Sequence, residues 1–218
     1  MSTNTILSGT KKALSVWLNF IDCCLDNYDV EDSARKCGIH YNTALNWRHK
    51  LQLLVASYLC EDVSGNVEMD VAYQEISYKG NHKNNKDFVM PREPHKRGST
   101  STTRGLSNDK VCIPCAVSES GIAAGKIAKC GAVSYEALAA VFGKERINNL
   151  TKIISDSNSS YLHLAADHDA VLIQIPAERH SVGQYNIQRV NSFHTMIKNL
   201  INHTYRGVSS KHLNGYIA

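Results

Sequence analysis

The chain has 218 residues, 43% of them hydrophobic, with a formal net charge of +4. That length supports one sizeable core, or one core and a small module. No stretch approaches the roughly 18 apolar residues of a membrane-spanning helix, and the opening MSTNTILSGTKK lacks the apolar core of a secretory signal.

Seven cysteines, odd in number and irregularly spaced, fit a reduced, cytoplasmic setting. The charge is unevenly spread. From Gln184 to Ala218 there is no acidic residue, while Arg189, Lys198, Arg206 and Lys211 are cationic. Between Lys79 and Arg104 seven Lys/Arg face two acids. Such a basic surface suits a polyanion such as DNA, or is simply a solvated face.

In chain order, Lys11 to Tyr28 carries Ala13, Leu14, Trp17, Leu18, Ile21, Cys24 and Leu25 at helical spacing, an amphipathic helix. Asp29 can cap a short helix from Val30 to Cys37. Gly38 supplies a turn, and a second helix runs from about Tyr41 to Ala56. Short helix, glycine turn, second helix is the helix-turn-helix plan, or a plain helical hairpin. The second helix offers Asn42, Thr43, Asn46, Arg48, His49 and Lys50, donors suited to base edges and phosphates. Cys60 to Gly65 is a polar break and marks a boundary, with a helical module over 1–62 and a larger domain over 63–218.

Asn66 to Gly80 alternates: Val67, Met69, Val71 and Tyr73 point one way, Glu68, Asp70, Ala72 and Gln74 the other. That predicts a strand buried on at least one face. Asp70 sits mid-strand, where a carboxylate is costly to bury unless it is paired or binds a cation. A basic, polar stretch over about 80–109 reads as a loop. Lys110 to Ser118 and Ile122 to Lys129 predict two strands around a hairpin turn at Ser118-Glu119-Ser120-Gly121. Cys112 and Cys115 form a lone C-x-x-C without the second pair that zinc needs. Ser134 caps a helix to Phe142. Lys152 to Ser157 predicts a strand ending at Asp156, with a helix from about Asn158, and Ala170 to Pro176 another buried strand. In the last segment Ile187, Val190, Phe193, Ile197, Leu200 and Ile201 make an apolar stripe, with Asn191, Thr195 and Lys198 beside it. Gly207 ends that helix and Ser209 caps another. The pattern is α/β with a mixed sheet.

Four stretches resemble the insertion-sequence DDE transposases, in the branch whose third acidic residue is Asn followed seven residues later by Lys. They are Asn46-Trp47-Arg48-His49-Lys50; Met69-Asp70 with Ser77-Tyr78-Lys79-Gly80-Asn81; Ile154-Ser155-Asp156-Ser157; and Asn186 to His194 with Lys198 and Gly207-Val208-Ser209-Ser210-Lys211-His212-Leu213. The resemblance implies an α/β, RNase H-like mixed sheet flanked by helices, preceded by a small all-α helix-turn-helix module. It implies Asp70 and Asp156 as metal-binding carboxylates, Asn191 as third ligand, and Lys198 at the DNA end. It also implies Mg²⁺ or Mn²⁺ as cofactor, double-stranded DNA (element ends and target) as partner, and a homo-oligomer on DNA. Arg189 and Lys211 join the helix-turn-helix residues as DNA contacts. The sequence departs from the pattern at Val71, where members commonly carry Glu, and shows neither the zinc ribbon ahead of the first helix nor the Trp-containing segment past Tyr216.

Two Mg²⁺ about 4 Å apart can hold nucleophile and leaving oxygen in line for phosphodiester cleavage and strand transfer. Asn191 offers a neutral carbonyl oxygen to such a site, and Glu178, in the loop ahead of the helix, is the alternative third donor. Three readings follow: a metal-dependent DNA transposase; a truncated, catalytically defective remnant acting only as a DNA-binding protein; and a divalent-metal nuclease of the same fold.

Overall fold

The computed structural model describes residues 5–56, 63–81, 85–91, 107–144, 147, 150–205 and 207–217. Most of the basic loop expected over 80–109, and the boundary residues 57–62, lie outside them.

The N-terminal part is helical: α1 (Leu14–Leu25), α2 (Val30–Lys36) and α3 (Tyr41–Ala56). Asp29 caps α2, its Oδ1 accepting from the Asp32 N–H at 2.8 Å. Gly38 takes φ +60° in the turn to α3, a conformation that costs glycine little. The three helices bury their own cluster, with Trp17 and Trp47 stacked 3.8 Å apart and Phe20 edge-on.

The rest is built on β1 (Gly65–Glu75), β2 (Lys110–Ser118), β3 (Ala123–Gly125), β4 (Lys129–Cys130), α4 (Tyr135–Phe142), β5 (Leu150–Asp156), α5 (Ser160–Asp167), β6 (Val171–Ile175), α6 (Gln188–Asn199) and α7 (Leu213–Ile217). A wider π turn over Leu200–Thr204 follows α6, and a single 3₁₀ turn over Ser210–His212 precedes α7. The sheet order is β3-β2-β1-β5-β6, with β4 also on β2. β1–β2 and β2–β3 are antiparallel; β1–β5 and β5–β6 are parallel. An antiparallel hairpin edge continued by parallel strands, with helices on both faces, is the RNase H-like mixed sheet.

Strand β1 is covered on both faces, which explains its depth. Val67 and Met69 pack with Ile153, Leu138, Phe142 and Leu164 under α4 and α5. Ala72 packs with Ile113, Val190 and Ile197 under α6.

Two expectations need correction. The run from Ile122 to Lys129 is not one strand: β3 and β4 are separate, with Lys126–Ala128 between them. Pro114 of β2 accepts from Lys126 N–H at 3.2 Å on that side but has no N–H to return, so the ladder breaks there. Ser209 does not cap a helix with its side chain; its hydroxyl reaches the Ser77 carbonyl at 3.5 Å. At the seam between the helical part and the sheet domain, α7 approaches α3 closely: a Cβ on Gly215 would stand 2.9 Å from Gln52 Cβ. No helix among the described residues is long and apolar enough to cross a membrane.

Candidate active site

The site starts from strand register. Met69 pairs with Ser155 across the parallel β1–β5 ladder, so Asp70 and Asp156 come next, side by side. Neighbouring residues of parallel strands project from the same face. Glu68, Asp70 and Ala72 share that face, and α6 lies over it.

Each carboxylate has one oxygen fixed by backbone. Asp70 Oδ1 accepts from Val71 N–H at 2.8 Å, and Asp156 Oδ1 from Asn158 N–H at 3.1 Å. Gln174 holds the same turn, its Nε2 donating to the carbonyls of Asp156 and Asn158 at 3.2 and 3.1 Å. Each acid therefore keeps its Oδ2 for a further partner. Burial pushes the Asp70 carboxyl up to about 6, the Val71 amide and Lys198 oppose the rise, and the Asp156 charge adds to it. Two carboxylates on one face, one of them partly desolvated, form a donor set that fits a hard divalent cation.

Helix α6 brings the third element. Val190, His194 and Ile197 are buried, and Asn191 and Lys198 are exposed on the helix flank. Asn191, His194 and Lys198 fall at i, i+3 and i+7, one stripe of the helix. His194 Nδ1 stands 3.8 Å from Asp70 Oδ2, which sets the middle of this stripe beside the first acid. Glu178 is exposed in the turn after β6. Among the described residues no three His, Cys, Asp or Glu side chains gather for one ion. Asp70 and Asp156 are the two carboxylates on this face.

Sequence reasoning passed over two residues here. His194 is 7% exposed, its Nε2 is buried without a hydrogen-bond partner among the described residues, and burial, with Lys198 beside it, lowers its pKa to about 4. It is a neutral imidazole wedged against Asp70. Its signal was present, since it sits three residues after Asn191 and four before Lys198. Glu68 is 3% exposed and holds the start of α6: its Oε2 accepts from the Arg189 and Val190 N–H groups at 2.7 and 3.2 Å, and Oε1 from Arg189 Nη1 at 2.9 Å.

The other expected contacts scatter. Arg189 is thus engaged by Glu68, although its side chain is half exposed. Lys211 is exposed. Lys50 is exposed, with Nζ near the carbonyls of Ile6 and Ser8. Asn42, Asn46 and His49 line a cavity that α3 shares with Lys79, Lys211 and His212, while Thr43 is half-buried outside that lining. Cys112 and Cys115, three apart on β2, point to opposite faces and cannot share an ion.

Arg48 is a correction. It is 1% exposed, so it cannot reach a base edge. Its Nη2 donates to the Tyr28 carbonyl at 2.7 Å and to Ser33 Oγ at 3.0 Å, and its guanidinium lies 5.2 Å from the Tyr205 ring centroid. It ties α3 to α2 and to the end of the sheet domain. Arg48→Ala is expected to destabilise the fold by about 2–4 kcal/mol, since two charged hydrogen bonds are lost and the site is left partly empty. Chemical denaturation checks this; a loss below about 1 kcal/mol would refute the structural role.

A crystal structure of a pre-cleavage Mos1 transpososome is similar to this chain at 10% identity and a TM-score of 0.31, over 96% of this chain and 76% of that one. A likeness that low adds nothing to the topology above. No curated protein matches the chain. Residues 62–218, the whole of the sheet domain with its two acids and α6, match the model of the ISXO2-like transposase domain, and the chain belongs to that family.

Proposed function

We propose that the chain is a DNA transposase that binds the ends of its element and carries out metal-dependent cleavage and strand transfer. The supporting observation is the adjacency of Asp70 and Asp156 on one sheet face, with His194 of α6 against Asp70. In this reading residues 63–218 form the catalytic domain and residues 1–62 a DNA-binding module. Element ends and target DNA are the partners, and the protein works in the cytoplasm as a homo-oligomer on DNA.

Asp70 and Asp156, with the Asn191 carbonyl oxygen, would hold Mg²⁺ or Mn²⁺. When bound, the ion supplies Lewis acidity at the phosphate and lowers the pKa of the attacking hydroxyl. The chain's own part is positional. The Val71 and Asn158 amides each fix one oxygen of the two carboxylates, and the other oxygens would hold the ion. Neutral His194 fills the gap beside Asp70, excluding water without adding a competing cation. Lys198 provides a cation one turn further along α6 for a phosphate oxygen. The preserved pairing of acids favours an active enzyme over a DNA-binding remnant.

The test is nicking of the element's own ends in Mg²⁺, with Asp156→Ala as the inactive control. Asn191 is the informative position. Asn191→Asp should keep or raise nicking, and Asn191→Ala should lower it about ten-fold or more at equal folded fraction, the scale of a lost metal-site partner. Should Ala match Asn, Asn191 is no ligand and Glu178 becomes the third donor to test.

A further inference from the structure

Two of the stretches that carry the family resemblance, 77–81 and 207–213, take no part in the carboxylate site. The structure joins them to each other. Ser77 N–H donates to Ser210 Oγ at 2.8 Å, Ser210 N–H to the Ser77 carbonyl at 2.9 Å, and Lys79 Nζ to the Gly207 carbonyl at 3.2 Å. Together they form one wall of a cavity of about 510 Å³. The opposite wall is the α3 face made by Asn42, Asn46 and His49, at i, i+4 and i+7.

We propose that this cleft is a second nucleic-acid site, one that takes an unpaired DNA strand rather than a duplex; the proposal rests on the transposase reading above. Among the described residues no Asp or Glu lines the cleft, while Lys79 and Lys211 supply cations for phosphates. Tyr41, 48% exposed, adds a free ring, and bases stack on such faces without regard to sequence; Tyr205 and Tyr216 line the floor packed against each other. Asn42 and Asn46 carry paired amide donors and acceptors that match a base edge. The volume falls within the roughly 300–1,000 Å³ of small-ligand sites. It is far too small for a duplex.

Geometry also decides strand against duplex from the side of α3. A helix docked in a major groove needs its reading face clear across a groove about 12 Å wide. Here the C-terminal half of that face, at His49 and Gln52, is closed over, while Asn42 and Asn46 stay exposed. The His49 and His212 rings stack with centroids 3.9 Å apart, Tyr216 Oη and His49 Nε2 are 3.5 Å apart, and Gly215 presses against Gln52. Burial, together with His212 and Lys211, lowers His49 to about 4, so the stacked pair is held as neutral rings at neutral pH.

The test uses the full chain, titrated by fluorescence anisotropy with a labelled single strand of about eight deoxynucleotides and with a duplex of the same length. Tyr41→Ala and Lys211→Glu change two exposed positions, and thermal unfolding verifies that both variants fold. Each is expected to weaken single-strand binding about ten-fold or more, through lost stacking and reversed charge respectively, and to weaken duplex binding much less. Single-strand binding that is absent in the parent, unchanged in either variant, or lost only in step with the duplex overturns the site. Nicking of element ends by the parent in Mg²⁺ reads the transposase assignment separately. Nicking with an unresponsive single strand defeats the cleft alone; a responsive single strand without nicking defeats the enzyme reading alone.

Discussion

Asp70→Asn is expected to abolish metal-dependent nicking and, in the same protein, to raise stability at pH 8 by about 1–3 kcal/mol when measured in EDTA. The stabilising half follows from the raised Asp70 carboxyl, near 6 against an ordinary value of 3.8, driven first by burial. A carboxyl raised in the folded state contributes stability fully present below the unfolded value, and this is lost as pH rises through about 6. Above that, the folded chain carries a charge it would be better without, and the isosteric amide removes the cost. The side chain is 23% exposed, so solvent screening trims rather than cancels the effect. The gain should shrink as pH falls from 8 to 4, because the wild-type carboxyl is then neutral. Mg²⁺ should raise the melting temperature of the parent and not of the variant, since only the parent offers the ion its carboxylate. A variant less stable than the parent at pH 8 in EDTA, or one stabilised equally at all pH values, would show that Asp70 is not held at a cost for function.

That cost explains which parts of the molecule could be read from residues. The alternation around Asp70 was legible because apolar positions of β1 face a core of side chains from its own domain. So were the capped helices: Asp29 and Ser134 make the bonds their positions announce. What pattern alone could not supply was burial of charge. Arg48 looks like a DNA contact on α3, yet its partners are Tyr28, Ser33 and Tyr205, brought together only by tertiary packing. His194 was hidden by its apolar neighbour Phe193, because the stripe was drawn through hydrophobic residues, and the buried register runs Val190, His194, Ile197, Ile201. The gap between β3 and β4 was written in Pro114, on the neighbouring strand β2 rather than in the run it interrupts.

Glu68→Ala is expected to destabilise the fold by about 2–4 kcal/mol, as much as Arg48→Ala. Helix α6 has no side-chain cap of its own: Ile187 stands at the N-cap, and its first turn has no acid. Glu68 replaces both from the strand below, taking two amides of the first turn and placing a negative charge at the positive end of the helix dipole. Alanine leaves buried N–H groups without a partner and frees Arg189 from its ion pair. Because Arg189 is half exposed, water recovers part of that loss, which keeps the figure below that of a fully buried pair. For a chain of this length the melting temperature should fall by about 5–15 °C. Glu68→Gln retains one carbonyl acceptor and should lose less.

Function separates a fastener from a positioning residue. Glu68 lies two residues before Asp70 on the same face of β1, so it fixes the start of α6 relative to the first acid. If that registration matters, Glu68→Gln at equal folded fraction lowers the nicking rate while DNA affinity stays as it was, because the Asn191–Lys198 stripe moves relative to Asp70 and Asp156. If Glu68→Gln nicks at the parental rate once folding is matched, Glu68 only secures the helix, and the placing of Asn191 must come from the packing of Val190 and Ile197 against the sheet.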